Sequence, residues 1–77
     1  AKVMVVDDDP QILATLRSLL EPWGLRTICI DDPRRFWETL EASAPDLLIL
    51  DVNMPHLSGL ELCQVVRQDS HWCGLPI

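Results

Sequence analysis

Val3-Met4-Val5-Val6-Asp7-Asp8-Asp9-Pro10 and Pro45-Asp46-Leu47-Leu48-Ile49-Leu50-Asp51 decide the fold. Each is a short, unbroken apolar run that ends on aspartate. Runs of this length, rich in aliphatic and β-branched residues, fit strands buried on both faces of a parallel sheet. Leu25–Ile30 is a third, less pure run.

The segments between these runs carry helical patterns. Asp9-Pro10 reads as an N-cap followed by proline at the first helical position. Ile12, Leu13, Leu16, Leu19 and Leu20 then form an apolar stripe, which Pro22 and Gly24 stop. Asp32-Pro33 repeats the start signal, Phe36, Trp37 and Leu40 supply the stripe, and Pro45 ends it. Ser58-Gly59-Leu60-Glu61 has the form of a capping box, and Leu62, Val65 and Val66 continue that helix. Gly74 and Pro76 punctuate its end, and Leu75-Pro76-Ile77 opens a further strand. Strict β-α alternation predicts an α/β fold with a parallel sheet and right-handed crossovers. No repeat or linker interrupts residues 1–77, so one domain is expected.

Composition narrows the function. The chain has 77 residues, is 48% apolar and 23% charged, and carries a formal net charge of −6. That is a globular balance. Lys2, Arg17, Arg26, Arg34, Arg35 and Arg67 are too few and scattered for a phosphate-backbone surface, so no direct nucleic-acid contact is expected. No apolar run approaches the roughly 18 residues of a membrane span, and no signal peptide is read at the start. Cys29, Cys63 and Cys73 form no CxxC pair, which suits a reducing compartment better than a disulfide framework.

In open parallel sheets, ligands bind beyond the carboxyl ends of the strands. Asp7, Asp8 and Asp9 come after the first strand, and Asp51, Val52, Asn53, Met54 and Pro55 after the third. Asp9 is accounted for as a helix cap. Asp7, Asp8 and Asp51 would then converge and repel one another, so at least one pKa should rise. A hard divalent cation such as Mg²⁺ resolves that conflict. A carboxylate held rigidly at a strand end, as Asp51 is, can attack a phosphoryl group whose charge the metal offsets.

Together these motifs, with Asn53-Met54-Pro55 and Ser58-Gly59 in their order and spacing, resemble the receiver domain of two-component response regulators. The resemblance implies a flavodoxin-like, doubly wound sheet of strand order 2-1-3-4-5. Residues 1–77 would supply the first three βα units and the start of strand 4. Asp51 matches the phosphoacceptor. Asp7 and Asp8 match the acidic pair, with Asp8 as the direct Mg²⁺ ligand beside Asp51 and the backbone carbonyl of Asn53. Pro55 and Gly59 match the loop that shapes the site. The implied partner is a sensor histidine kinase or phosphotransfer protein in the cytoplasm. The implied chemistry is phosphoryl transfer onto the domain itself rather than turnover of a substrate.

A complete fold of this kind needs about 110–125 residues, at roughly 30 per βαβ unit. The switch Ser/Thr and catalytic Lys belong after the fourth and fifth strands, and neither is in this chain. Lys2 precedes the first strand and lies at the wrong end of the sheet. A non-switching interaction or oligomerisation module is therefore the alternative reading. A haloacid dehalogenase-type phosphatase needs a second acid where Asn53 stands. A calcium loop is broken by Pro55 and His56.

The other residues have structural readings. His56 reads as an exposed loop residue, with a place at the border of the site as the alternative. Cys63, His71 and Cys73 match no zinc spacing. The tryptophans read as core or helix-end packing, and Arg34 and Arg35 as a solvated face. The third strand would present an open apolar edge, which predicts self-association or exchange of elements between copies. Light scattering at micromolar concentration checks this: dimers or larger species are expected, and a monodisperse monomer contradicts it.

Overall fold

The computed structural model describes residues 1–55 and 57–77. Three parallel strands, β1 (Lys2–Val6), β2 (Arg26–Ile30) and β3 (Leu47–Leu50), form a sheet of order β2-β1-β3. Among the described residues, three α-helices, α1 (Pro10–Leu20), α2 (Phe36–Ser43) and α3 (Gly59–Gln68), connect and flank them. This is the start of the order expected from the sequence.

β1 is central because nearly all of it is apolar. Its side chains alternate between two cores. Met4 and Val6 join Ile30, Leu48, the α2 residues Phe36 and Leu40, and the α3 residues Leu62 and Val66. Val3 and Val5 face the other way, onto Leu13 of α1. Two helices cover the first face and one covers the second. Leu47 and Ile49 of β3 are accordingly only half-buried beside α1.

The helix starts obey their capping chemistry. The Asp9 carboxylate accepts from the Gln11 N–H at 2.9 Å, with Pro10 in the first turn. The Ser58 hydroxyl accepts from the Glu61 N–H at 3.2 Å. Asp32 also caps, but it caps a 3-10 turn over Pro33–Arg35, so α2 begins only at Phe36. Arg34 closes on Asp32 with both Nε and Nη2 at 3.0 Å, while the Asp32 carboxylate accepts from the Arg34 N–H, a local bond that favours a turn over continued helix.

Several expectations need correction. Ile12 and Leu19 are 44% and 60% exposed, because α1 turns only Leu13 and the flanks of Leu16 and Leu20 to the sheet. Val65 is also exposed, leaving Leu62 and Val66 as the buried residues of the α3 stripe. Trp23 is 84% exposed and packs neither in the core nor at a helix end. It lies in the 3-10 turn Glu21–Trp23, which closes on Gly24 at φ 82°, a left-handed conformation that suits glycine. Leu20 and Leu25, on either side, make the core contacts instead.

The outer edge of β3 is occupied at one point. The Leu48 N–H donates to the Pro76 carbonyl at 2.9 Å, so the segment expected to open a fourth strand does begin to pair there. Leu75 is buried in the main core. Arg67 clamps this segment, donating from Nη1 to the carbonyls of Cys73 at 2.9 Å and Leu75 at 2.6 Å.

α2 ends at Ala44, a non-glycine residue at φ 46°. Pro45 disfavours right-handed helix at the residue before it, and Ala44 escapes into the left-handed region. That conformation costs an L-residue roughly 1–2 kcal/mol. Ala44→Gly should raise stability in urea denaturation by about 0.5–1 kcal/mol, since glycine's greater unfolded-state entropy offsets part of the relief. Leu40→Ala, at a fully buried position, should lower it by roughly 2–5 kcal/mol.

Candidate functional site

The site is set by strand register. Val6 pairs with Leu50 in parallel, so the next residue on each strand, Asp7 and Asp51, emerges side by side. The ladder extends into both. The Asp51 N–H donates to the Val6 carbonyl at 2.9 Å, and the Asp7 N–H donates to the Ile30 carbonyl at 3.1 Å. Oxygens of Asp7, Asp8 and Asp51 all lie within 4.8 Å of one another. Asp7 and Asp51 are half-buried and Asp8 is exposed.

Local hydrogen bonds hold these carboxylates in place. Asp7 Oδ1 accepts from the Asp9 N–H at 2.9 Å, and Asp51 Oδ1 accepts from the Asn53 N–H at 3.2 Å. Asn53 and Pro55 sit in the exposed turn after β3, and Met54 packs against the main core. Gly59 is buried at the start of α3. A methyl group there would collide with the Asp51 carbonyl, whose carbon would lie 2.8 Å away. The glycine thus lets α3 approach the backbone of Asp51. His56, expected in the loop, lies outside the described residues.

Burial and the neighbouring charges both act on Asp7. Its pKa is raised above the ordinary 3.8, first by burial and then by the charges of Asp51, Asp8 and Asp9, against the lowering effect of the Asp9 N–H. The donor set is three carboxylates, without imidazole or thiolate. Such oxygens fit a hard divalent cation such as Mg²⁺ better than zinc or copper. Among the described residues, Cys63, His71 and Cys73 form no second cluster of metal-binding side chains. Lys2 does not precede β1 but is its first residue, at the amino end of the sheet, and it donates from its Nζ to the Ser43 carbonyl at 3.1 Å.

The family model described as the response regulator receiver domain matches residues 3–77. The chain belongs to the response regulator receiver family. Among curated relatives, the receiver domain is 53% identical to protein RcaC of Microchaete diplosiphon over 99% of this chain and 12% of that protein. Among solved structures, it matches the chemotaxis response regulator CheY4 of Vibrio cholerae with a TM-score of 0.92 at 32% identity. That match covers 100% of this chain and 64% of the other. Response regulator TrrA of Thermotoga maritima, solved in complex with Mg²⁺-BeF, matches with a TM-score of 0.84 at 30% identity. That match covers 91% of this chain and 61% of the other. The chain therefore spans less than two thirds of these proteins. The fold is flavodoxin-like, and receiver domains are signalling domains. Among the described residues, no helix is long and apolar enough to cross a membrane.

A raised pKa in the folded state means that Asp7 keeps its proton to higher pH folded than unfolded. Without metal, stability should therefore fall as pH rises through the window that starts near 3.8. Asp7→Asn should flatten that fall and raise the melting temperature at neutral pH in chelator, as thermal denaturation across pH would show. Gly59→Ala should cost roughly 1–3 kcal/mol by overpacking, measured in urea.

Proposed function

We propose that the domain accepts a phosphoryl group on Asp51 from a phosphohistidine of a sensor histidine kinase or phosphotransfer protein. The observation that carries this reading is the convergence of Asp7, Asp8 and Asp51 within 4.8 Å at the carboxyl edge of the sheet. Asp8, Asp51 and the Asn53 backbone carbonyl would hold Mg²⁺, which supplies charge neutralisation for the phosphoryl oxygens when bound.

The chain's own residues do the rest. A carboxylate oxygen of Asp51 bonds to phosphorus as the bond from phosphorus to the donor imidazole nitrogen breaks. The electron pair stays on that nitrogen, which takes up a proton. The β1–β3 ladder fixes the nucleophile, and the Asn53 N–H orients its carboxylate. Asp7 stands beside Asp51 and Asp8, so that a cation at this corner would relieve the crowding of their carboxylates. Pro55 and Gly59 shape the loop, Gly59 by admitting α3 against the Asp51 carbonyl.

The reading puts the domain in the cytoplasm with its donor. Free Cys29, Cys63 and Cys73 are in keeping with a reducing compartment. Nothing in the fold or the relatives favours the non-switching module.

Incubation of the full chain with a small phosphodonor such as phosphoramidate and Mg²⁺ should add one phosphoryl group by mass spectrometry. Chelation and Asp51→Asn should each abolish it. Asp8→Asn should slow it by roughly a hundredfold, the scale of losing one electrostatic element of a transfer site. Labelling that persists in Asp51→Asn would assign the acceptor elsewhere.

A further inference from the structure

A cleft lies between α2 and the turn after α3, reaching the amino ends of the strands. It has a volume of about 240 Å³ and is lined by Trp37, Glu41, Ala44, Asp69, His71 and Trp72. These residues come from α2 with its left-handed terminus and from the turn after α3. Ala44 leads into Asp46, whose carboxylate accepts from the Lys2 backbone N–H at 2.8 Å. The cleft therefore adjoins the amino ends of the strands, away from Asp7, Asp8 and Asp51.

Its chemistry points one way. Trp37 and Trp72 pack against the main core as partly buried side chains, which holds their rings. The His71 ring stands edge-on to Trp72, with centroids 4.6 Å apart at 87°. Asp69 is pinned, because its Oδ2 accepts from the N–H groups of both His71 and Trp72 at 2.9 Å. Glu41 is exposed, and among the described residues its carboxylate makes no hydrogen bond or ion pair. No Lys or Arg lines the cleft. α2 and α3 both end there, and the carbonyls of a helix C-terminus favour positive charge. Indole faces attract cations as well.

We propose that this cleft binds the guanidinium group of an arginine presented by a protein partner. A planar guanidinium can lie against an indole face and also direct its N–H fork at a carboxylate, which a compact ammonium does less well. The size of the cleft argues for a single side chain. Small-molecule pockets generally run to about 300–1,000 Å³ and enclose most of their ligand. The site is independent of the phosphoacceptor reading and would give the receiver domain a contact surface at the end opposite Asp51.

The test is an NMR titration of the full chain with N-acetyl-arginine amide, tracking the assigned tryptophan indole N–H signals. The neutral isostere N-acetyl-citrulline amide serves as control. The Trp37 and Trp72 signals should shift and saturate with the arginine compound only, while exposed Trp23 stays in place. Glu41→Gln changes an exposed helix position and should leave the fold intact. It should weaken binding roughly three- to tenfold, the scale of one charge-assisted contact at a surface. Equal shifts with citrulline, an equal response at Trp23, or unchanged binding in Glu41→Gln would each overturn the proposal.

Discussion

The parallel register of β1 on β3 is the constraint on which the rest depends. Once Val6 stands opposite Leu50, Asp7 and Asp51 must emerge together, and Asp8 is carried into the same corner. Water would ordinarily keep three carboxylates apart. Here the backbone ladder sets their spacing, and burial, joined by the charges of Asp51, Asp8 and Asp9, raises the pKa of Asp7. The folded chain thus carries a local cost at its carboxyl edge that a hard cation would remove.

That register is held from both faces. Met4, Val6 and Leu48 are gripped by α2 and α3, and Val3 and Val5 by α1. A slip of β3 by one residue would send Leu48 to the α1 side and bury different side chains, so the core and the site specify each other. Gly59 carries this coupling to α3, since any side chain there would push the helix off the Asp51 carbonyl. Arg67 carries it outward, tying the end of α3 to the segment that meets Leu48.

Much of this was legible because it is local in the chain. Unbroken apolar runs marked β1 and β3, Asp9-Pro10 and Ser58 marked two helix starts, and the aspartates after the strands marked the site. The features that were not legible depend on contacts between distant segments. An apolar stripe shows which side chains could face a core but not which core is there to receive them, so Ile12, Leu19 and Val65 read as buried and stand exposed. The 3-10 turn before α2 is closed on Asp32, whose carboxylate accepts from the Arg34 N–H and whose carbonyl accepts from the Arg35 N–H, and spacing alone does not reveal it. The escape of Ala44 into the left-handed region had a signal in Pro45, read only as a stop. That Trp37 and Trp72 line one cleft, from α2 and from the turn after α3, had no local signal.

We propose that Asp7, Asp8 and Asp51 of this receiver domain act as one cation-binding unit. A Mg²⁺ titration of thermal stability at neutral pH tests it most directly. A saturable rise in melting temperature is expected for the wild type, its stabilisation following RT ln(1 + [Mg²⁺]/Kd), with little or none for Asp8→Asn. A melting temperature indifferent to Mg²⁺, or the same rise in Asp8→Asn, would contradict it.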